Sequence, residues 1–439
     1  MKAGKLNTKP SVAVIGAGLS GLSAAWLLRN DYNVTLFERH QRAGMGVHTA
    51  DYSSNGIKTR IDVPLRIFTP SYYPNLFALY EYLGIEMEPS DHAGVFQYWR
   101  EGKIKPFFQY RNARIRSFEF LRLSRIGFGW HSIKLVLQSI RFFRKIEKDN
   151  RNTIKALSQQ TFLEYLEQNN LHNQFVNELI LPALAVTLTC DFKSVLAYPA
   201  DTIIDYLTCG VMKQGIVRAK QGVDGIVPKL TQGYVLRCSH EVLQVNEANG
   251  GVSVCVNNLL TQQSDTQQFD YVVIASQANI AAKMLCSNES DNTQGQLLSQ
   301  IPMAYSTMVL HTDESLVFDK NRASPVSYLL SEQEDRAATT VDLSKAFSTY
   351  AQQESVFQTW HPIKQPQADK VICQAEFSRP LVTLESRKAV SQLQSMNEHS
   401  SIKICGSYMA NRFPLLDAAV ESSVIIAELM GVRAPWVRA

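Results

Sequence analysis

The spacing of apolar residues predicts a strand-rich framework that is interrupted by helices. Residues 11–38 contain an apolar run, a glycine turn, a helix-like stretch and a second apolar run, which together are typical of a strand–turn–helix–strand unit. Residues 74–84, 128–148 and 160–190 repeat apolar positions at helical spacing. A long and mostly helical insertion is therefore predicted after the first unit.

Strand-like patterns return in the second half of the chain. They cover residues 235–245, 252–256, 271–275, 306–312, 326–330, 371–377 and 402–405. A last helix is predicted from Asp417 to Met430, because Gly431 follows it and Pro435 lies beyond.

This order predicts an α/β fold in which a Rossmann-type nucleotide-binding domain is divided by an inserted α+β substrate domain. The predicted nucleotide-binding segments are residues 1–95, 215–300 and 396–439. The predicted substrate-domain segments are residues 96–214, which read as largely helical, and residues 301–395.

The first unit holds a dinucleotide-binding pattern. After the strand come six residues, Gly16, Ala17, Gly18, Leu19, Ser20 and Gly21. Gly16 permits the tight turn, Gly18 lets the backbone approach a pyrophosphate, and Gly21 lets the helix pack closely on the strand. The N–H groups and positive dipole end of that helix would face the phosphates. Glu38, about 20 residues downstream, would bind ribose hydroxyls and repel a 2′-phosphate, so NADP is not expected.

Residues far from this turn favour FAD over NAD. Arg39 follows the acidic residue, and the loop Gly44-Met45-Gly46 resembles those that wrap a second stretch of pyrophosphate. Near the other end of the chain, a second strand leads to a second helix terminus through Gly406, Ser407, Asp417, Ala418 and Ala419. A nicotinamide enzyme needs no such distant segment, whereas flavoproteins commonly use one to hold the ribityl chain and pyrimidine end of the ring.

We therefore predict FAD as the cofactor. Val242 and Ala275 are predicted as further contacts. The backbone N–H groups near Ala418 and Ala419 are the expected donors to the flavin, and Asp417 is expected to be the N-cap of the last helix.

These motifs resemble the FAD-dependent amine oxidase and phytoene desaturase superfamily over nearly the whole chain. Within it, the chain looks most like bacterial flavin-containing oxidoreductases related to the oxidase domain of plant cyclopropane fatty acid synthases. The matching segments include VAVIGAGLSGLSAAWLL, GMGVHT, YPNLFALYEYLGI, LPALAVTLTC, FDYVVIAS, VLHTD and ICGSYMANRF. The resemblance implies FAD, an inserted substrate domain and removal of hydride from a C–H bond.

The chain departs from these relatives at several positions. Met45 stands where the superfamily usually has the second glycine of a pair, so the backbone there is expected to lie farther from the flavin. The relatives' Phe-His-Glu-Asp stretch corresponds to residues 412–416, and their His-Pro pair to Arg379-Pro380. The chemistry of the relatives does not transfer automatically to this chain.

Composition limits the class of protein. The chain has 439 residues, 45% hydrophobic and 19% charged, and can bury a large core. A net charge of +4 is too small to predict nucleic acid as the main partner, so a small-molecule substrate is expected. Seven cysteines without a C-x-x-C pair predict reduced thiols in a cytoplasmic protein. No secretion signal and no membrane-spanning run are predicted, since Pro182 interrupts the short apolar stretch Leu179–Leu188.

Positive charge is concentrated in one segment. Residues 100–151 hold 14 lysines and arginines against 4 acidic residues. Within the helix predicted over residues 128–148, apolar residues recur at helical spacing (Ile133, Val136, Leu137, Ile140 and Phe143). A peripheral membrane contact through this helix is one interpretation. Packing of the apolar residues in the core, with a solvated basic face, is the preferred one.

Few side chains are candidates for catalysis, because flavin chemistry mainly needs a substrate C–H bond held in a dry pocket. His311 would act as a base if it faced the ring, although a hydrogen-bonded sheet histidine is the favoured alternative. His48 would approach or tether the flavin, or else be bonded in its loop, and His361 is expected to be a loop residue.

Three arginines, Arg66, Arg379 and Arg412, stand where the related proteins carry other residue types. Arginine is costly to bury unless it meets an anion. We hypothesise that some of the three hold an acidic group of the substrate, a carboxylate or a phosphate. The alternative is three ordinary surface or salt-bridged arginines.

Three functions are consistent with the sequence. The first is an FAD-dependent oxidase or dehydrogenase that takes hydride from a lipophilic substrate such as an acyl chain or polyene. The second is amine oxidation by the same flavin. The third is a flavin-binding scaffold without chemistry in a biosynthetic complex, which Met45 and the lost Phe-His-Glu-Asp stretch would favour.

Overall fold

The structure is a computed structural model. It describes residues 9–54, 56–115, 118–123, 129–152, 154–209, 215–248, 250–286, 292–319, 324–352 and 354–437.

The strands are, in chain order, β1 (Ser11–Ile15), β2 (Asn33–Phe37), β3 (His48–Ser54), β4 (Ile57–Val63), β5 (Met87–Ser90), β6 (Gly94–Arg100), β7 (Lys103–Ile115), β8 (Phe118–Leu123), β9 (Ile216–Ala219), β10 (Val235–Arg237), β11 (His240–Ala248), β12 (Gly251–Asn258), β13 (Gln263–Phe269), β14 (Tyr271–Ile274), β15 (Met303–His311), β16 (Val326–Leu330), β17 (Ala337–Asp342), β18 (Phe357–Trp360), β19 (Val371–Pro380) and β20 (Ile402–Ile404).

The α-helices are α1 (Leu19–Leu28), α2 (Pro74–Tyr82), α3 (Trp130–Asn152), α4 (Phe162–Gln168), α5 (Leu181–Leu188), α6 (Phe192–Ala197), α7 (Ala200–Thr208), α8 (Gly222–Leu230), α9 (Ala278–Leu285), α10 (Thr293–Ser299), α11 (Leu343–Ala346), α12 (Leu384–His399) and α13 (Leu416–Leu429). A π-helical turn, Val176–Ile180, precedes α5, and short 3₁₀ turns occupy Ile154–Gln159, Glu314–Leu316, Ser348–Tyr350, Ala368–Lys370 and Ser407–Met409.

A parallel sheet of order β10-β2-β1-β14-β20 forms the nucleotide-binding domain. Its central strands are almost wholly apolar and buried, as expected for a parallel sheet covered on both faces. The strand–turn–helix–strand unit predicted over residues 11–38 is confirmed by β1, α1 and β2. The last strand and helix of the chain, β20 and α13, return to this domain beside β14 and α1.

A mixed sheet of order β19-β15-β18-β17-β16-β6-β7-β8 forms the substrate domain. The chain enters it twice, because β6 pairs in parallel with β16, more than 200 residues later. Residues 94–100, 103–115 and 118–123 therefore form strands, although the segment 96–214 is expected from the sequence to be largely helical. Helical character begins at α3 and continues to α7.

Three smaller strand groups complete the β-structure of the described residues. They are the antiparallel group β11-β12-β13, the hairpin β3-β4 and the pair β5-β9. The hairpin β3-β4 joins the core of the substrate domain through Ile61 and Val63, which pack in one buried cluster with Met308 and Leu310.

Two predicted domain boundaries fall inside elements. The boundary at residue 95 lies within β6, and the boundary at residue 395 lies within α12. Ala389, Val390 and Leu393 of α12 belong to the same buried cluster as Ile402 of the parallel sheet. The boundary at 395 is therefore misplaced, because α12 packs with the nucleotide-binding domain. The rest of the five-segment division stays a prediction.

Helix α3 turns much of its apolar surface outward. Ile133, Leu137 and Ile140 are 38%, 64% and 43% exposed, while Leu135 and Phe142 are buried. The preferred interpretation, that Ile133, Leu137 and Ile140 pack in the core, is wrong, because the helix face that carries Leu135 and Phe142 makes the core contacts. Among the described residues, no helix combines the length and apolarity needed to cross a bilayer.

Candidate cofactor and substrate site

The glycine turn lies at the carboxyl ends of the parallel strands. Gly16 follows β1 with a φ of +101°, a conformation that L side chains rarely adopt. Its N–H donates to the carbonyl of Phe37 at 2.8 Å. Directly behind it, Ala275 donates its N–H to the carbonyl of Ile15 at 2.9 Å, so this predicted contact adjoins the turn.

The other two glycines of the motif have different surroundings. A Cβ on Gly21 would overlap the carbonyl oxygen of Gly16 and lie 3.2 Å from the Cβ of Ala275. A Cβ on Gly18 would meet no atom within 4 Å. Gly21 is therefore needed for helix–strand packing, whereas Gly18 borders open space at the N-terminus of α1. No side chain caps this helix.

Glu38 lies beside the turn. One carboxylate oxygen accepts from the N–H of Ala17 at 2.7 Å, and the other accepts from the N–H of His40 at 2.8 Å. Arg39 is exposed and its Nε lies 3.4 Å from Nε2 of His40. The carboxylate is therefore held at the sheet edge where the predicted ribose would be.

The loop Gly44-Met45-Gly46 lies against the glycine turn. The N–H of Met45 donates to the carbonyl of Ala17 at 3.2 Å. Met45 is buried and has a φ of +55°, so a non-glycine residue adopts the conformation that a glycine favours. The substitution therefore leaves the loop beside the turn, and it places a side chain where a glycine would leave space.

The C-terminal segment meets the N-terminal one. Ser423 of α13 donates its hydroxyl to the carbonyl of Ser20 in α1 at 2.9 Å. Gly406, at the end of β20, donates its N–H to the hydroxyl of Ser422 at 3.0 Å, and Ser407 begins the following 3₁₀ turn. Two strand-to-helix connections from opposite ends of the chain are thus adjacent at one sheet edge.

The start of α13 differs from the prediction. Leu415 is the N-cap and no side chain caps the helix, so the expected N-cap role of Asp417 is wrong. Asp417 instead accepts from the N–H of Leu76 at 2.9 Å, and thereby caps α2. Ala418 and Ala419 are buried in the first turn of α13, and the N–H of Ala419 donates to the carbonyl of Leu415 at 3.2 Å, which contradicts its predicted role as a donor to the flavin.

Arg412 is neutralised within the protein. Its Nη1 lies 2.7 Å from Asp417 and 3.7 Å from Glu421, and its Nη2 donates to the carbonyl of Tyr72 at 2.6 Å. Its guanidinium carbon also lies 4.3 Å from the Tyr72 ring centre. The structure therefore contradicts a substrate-anion role for Arg412 and supports the salt-bridged alternative.

Arg66 and Arg379 lack such carboxylate partners. Arg66 donates from Nη2 to the carbonyl of Gly46 at 3.2 Å, and its buried Nε has no hydrogen-bond partner. Arg379 donates from Nη1 to the carbonyl of Thr187 at 2.7 Å. Burial, and next the charge of Arg379, lower the pKa of Arg66 to about 10. Burial also lowers the pKa of Arg379.

The structure contradicts the candidate role of His311 as a base. Its side chain is fully buried, with Nε2 bonded to the hydroxyl of Thr359 at 2.7 Å. Nδ1 accepts from the N–H of Asp313 at 3.1 Å. Burial lowers the pKa of His311 to about 4. Both nitrogens are occupied, so the ring is a hydrogen-bonded sheet residue.

The other predicted positions, His48, His361 and Val242, have different surroundings. His48 is exposed, and its ring packs edge-on against Phe377 at 5.6 Å. His361 lies 2.7 Å from the hydroxyl of Ser306, in a loop as expected. Val242 is buried in β11 opposite Val256.

Sequence reasoning missed a buried carboxyl group, Asp62. It lines a small cleft together with Met45, Leu65, Arg66 and others. Oδ2 accepts from the N–H of Val223 at 3.0 Å, which caps α8. Burial raises the pKa of Asp62 to about 6. A lone acid between two apolar residues, in Ile61-Asp62-Val63, was the available signal.

The chain matches a family model described as an NAD(P)-binding Rossmann-like domain over residues 14–83. No curated protein sequence matches the chain. Among solved structures, it is similar to cyclohexylamine oxidase from Brevibacterium oxydans IH-35A, with a TM-score of 0.65, 15% identity, and coverage of 96% of this chain and 100% of that one.

A fatty acid isomerase from P. acnes that produces CLA is similar with a TM-score of 0.66, 14% identity, and coverage of 95% of this chain and 98% of that one. A redesigned putrescine oxidase is similar with a TM-score of 0.64, 13% identity, and coverage of 97% and 99%. The chain therefore has the flavin amine oxidase-type fold, a Rossmann-like domain combined with a large substrate domain.

Proposed function

We propose that this protein is an FAD-dependent oxidoreductase that removes hydride from a C–H bond of a lipophilic substrate, such as an acyl chain or a polyene. One observation carries the proposal. The glycine turn after β1 and the end of β20 lie at the carboxyl edge of one parallel sheet, and α13 packs on α1 through Ser423 and Ser20; dinucleotides bind at this edge in this class of fold.

The residues at this edge suit FAD. Open space borders Gly18, and neither α1 nor α13 has a side-chain cap that would occupy its N-terminal N–H groups. Glu38 presents a carboxylate beside the turn, suited to ribose hydroxyls. The loop at Met45 keeps the backbone conformation of a glycine loop.

The chain's own residues would bind, orient and exclude water. FAD, when bound, supplies the hydride acceptor. The α1 terminus would hold the pyrophosphate, and the α13 terminus would stabilise negative charge at the pyrimidine end of the ring. The buried Tyr72 and Phe413 and the half-buried Tyr206 pack against one another and would limit the access of water to this interior.

The similar structures support two substrate classes. A fatty acid isomerase agrees with an acyl substrate, as does the resemblance to the oxidase domain of plant cyclopropane fatty acid synthases. Cyclohexylamine and putrescine oxidases agree with the alternative, amine oxidation. The arginines at 66 and 379 favour the first class, because nearby guanidinium groups repel an ammonium ion.

The visible spectrum of the purified protein, before and after acid precipitation, tests the proposal. We expect flavin absorption, and the precipitate shows whether the flavin is covalently attached. Protein that stays colourless and does not bind added FAD would refute the function. Peroxide release on an amine panel, compared with mass changes in extracted lipids, separates the two substrate classes. A flavin that light cannot reduce, or air reoxidise, would favour the scaffold.

A further inference from the structure

We infer that Arg66 and Arg379 form one binding site for the carboxylate of an amphiphilic substrate. This inference rests on the proposed function and names its substrate class.

The two arginines lie near one another although they are more than 300 residues apart in the chain. Side chains two residues apart in a strand point to the same face, so Arg379 lies on the side of β19 that carries Phe377. Phe377 packs against His48, and Arg66 donates a hydrogen bond to the carbonyl of Gly46, which precedes His48 by two residues in the chain. The guanidinium group of Arg66 therefore lies at the loop 44–46, and the charge of Arg379, which donates to the carbonyl of Thr187, acts on it.

The charges around this pair do not cancel. Arg218, which shares the cleft with Arg66, is bonded to the buried carboxylate of Glu88 at 2.6 Å. Asp62 offsets one positive charge, but its Oδ2 is bonded to the N–H of Val223. Neither Arg66 nor Arg379 forms an ion pair with a carboxylate in the described part of the chain. Both arginines are half-buried, one positive charge is left without a carboxylate partner, and the buried Nε of Arg66 has no acceptor.

An anionic ligand would satisfy this site. A carboxylate accepts several hydrogen bonds at once and suits the planar guanidinium fork. Arg379 also lies near the aromatic interior, since its charge acts on Tyr73 and Tyr198. A molecule with a carboxylate and an apolar chain would bind the guanidinium groups through the carboxylate and the aromatic side chains through the apolar chain. A protonated amine would be repelled by both arginines.

Equilibrium dialysis with decanoate, decan-1-ol and decylamine tests the inference. The same samples are assayed for flavin by absorbance. We expect decanoate alone to bind, and R66Q and R379Q each to weaken its binding at least about tenfold. R379K should retain part of the affinity, because it keeps the charge. R100Q is the matched control, since Arg100 is half exposed and paired with Glu332.

Three results would overturn the inference. They are equal decanoate binding by the wild type and the two glutamine variants, decylamine binding as tight as that of decanoate, or loss of flavin from these variants with decanoate binding unchanged. The last result would assign the arginines to the cofactor phosphates. Colourless protein that binds decanoate through these arginines refutes the proposed function only, and yellow protein that does not bind decanoate refutes this inference only.

A separate observation concerns helix α3. Its exposed positions are four apolar residues, Trp130, Ile133, Leu137 and Ile140, five basic residues, Lys134, Arg141, Arg144, Lys148 and Arg151, and Asn152. The two acidic residues of this helix are the buried Asp149 and the half-exposed Glu147, which pairs with Arg151 at 3.8 Å, and Trp130 is 87% exposed. Apolar side chains flanked by basic ones are complementary to an anionic lipid surface. We propose that this face binds the surface of an anionic bilayer.

Vesicle sedimentation tests the second proposal. We expect the full chain to sediment with phosphatidylcholine vesicles that contain phosphatidylserine, and not with phosphatidylcholine alone. R141Q should weaken binding about fivefold, the usual contribution of one basic residue. L137S should weaken it at least as much, whereas L260S is the control, because Leu260 is 74% exposed in the turn between β12 and β13. Equal failure with both vesicles, or a dimer that L137S dissociates without any lipid binding, would refute the proposal.

Discussion

Replacing Gly18 and Gly21 by alanine should separate cofactor binding from folding. Gly18 has φ −68° and ψ 174°, which alanine adopts freely, and its added Cβ would meet no atom within 4 Å. Lower entropy of the unfolded chain favours alanine by about 0.4–1 kcal/mol, and the weaker N-cap preference of alanine offsets a similar amount. The stability of G18A should therefore stay within about 1 kcal/mol of the wild type.

The effect of G18A on FAD should be larger. The new methyl group occupies the space through which the N–H groups of α1 would reach the pyrophosphate. Losing one charge-assisted hydrogen bond is worth about 2 kcal/mol, or roughly a thirtyfold increase in Kd. Fluorescence titration of the apoprotein with FAD measures this change, and urea unfolding of the apoprotein measures stability.

G21A is the matched comparison. Its Cβ would overlap the carbonyl oxygen of Gly16, which is backbone and cannot rotate away. Overpacking of this kind typically costs about 1–3 kcal/mol, and a backbone clash lies at or above the upper end. G21A should lose both stability and FAD binding. Wild-type FAD affinity in G18A, or unfolding of G18A at the same urea concentration as G21A, would refute the assigned roles.

Further predictions concern buried ionisable groups. Burial raises the pKa of Asp62 in the folded protein to about 6, so its contribution to the free energy of unfolding is full below about pH 4 and falls as pH rises to about 6. This fall is at most ~3 kcal/mol, and D62N should remove it. Urea unfolding at several pH values measures the difference. E88Q should destabilise the protein by about 3–5 kcal/mol in the same assay, because it leaves Arg218 buried without its counter-charge. H311Q should lower the melting temperature without changing the pH profile of turnover, since the ring is bonded on both nitrogens.

Each of these predictions has a contrary result. Asp51 is 93% exposed, so D51N should behave like the wild type, and a pH dependence in D62N equal to that of D51N would contradict the assignment. An E88Q variant as stable as the wild type would mean that Arg218 reaches another acceptor. A turnover profile that loses a titration in H311Q would restore that histidine as a candidate base.

Local patterns were enough to predict the parts of the fold that depend on neighbouring residues. The run from Val12 to Gly21 predicted a strand, a turn and a helix, because apolar spacing and glycine positions act within a few residues. The second strand-to-helix connection before α13 was predicted in the same way. The hairpin β3-β4 and strands β6 to β8 were missed; in β3, the polar composition of His48–Ser54 hides the alternation that marks a half-buried strand.

The sequence by itself determined that two nucleotide-type connections exist and that three unusual arginines are present. Only the tertiary structure decided that the connections adjoin, and that Arg412 is paired with Asp417 while Arg66 and Arg379 are not paired with any carboxylate in the described chain. The physical reason is distance along the chain. Whether a charge is neutralised depends on which side chains the sheet register and helix packing bring within a few ångströms, and those partners can lie hundreds of residues away.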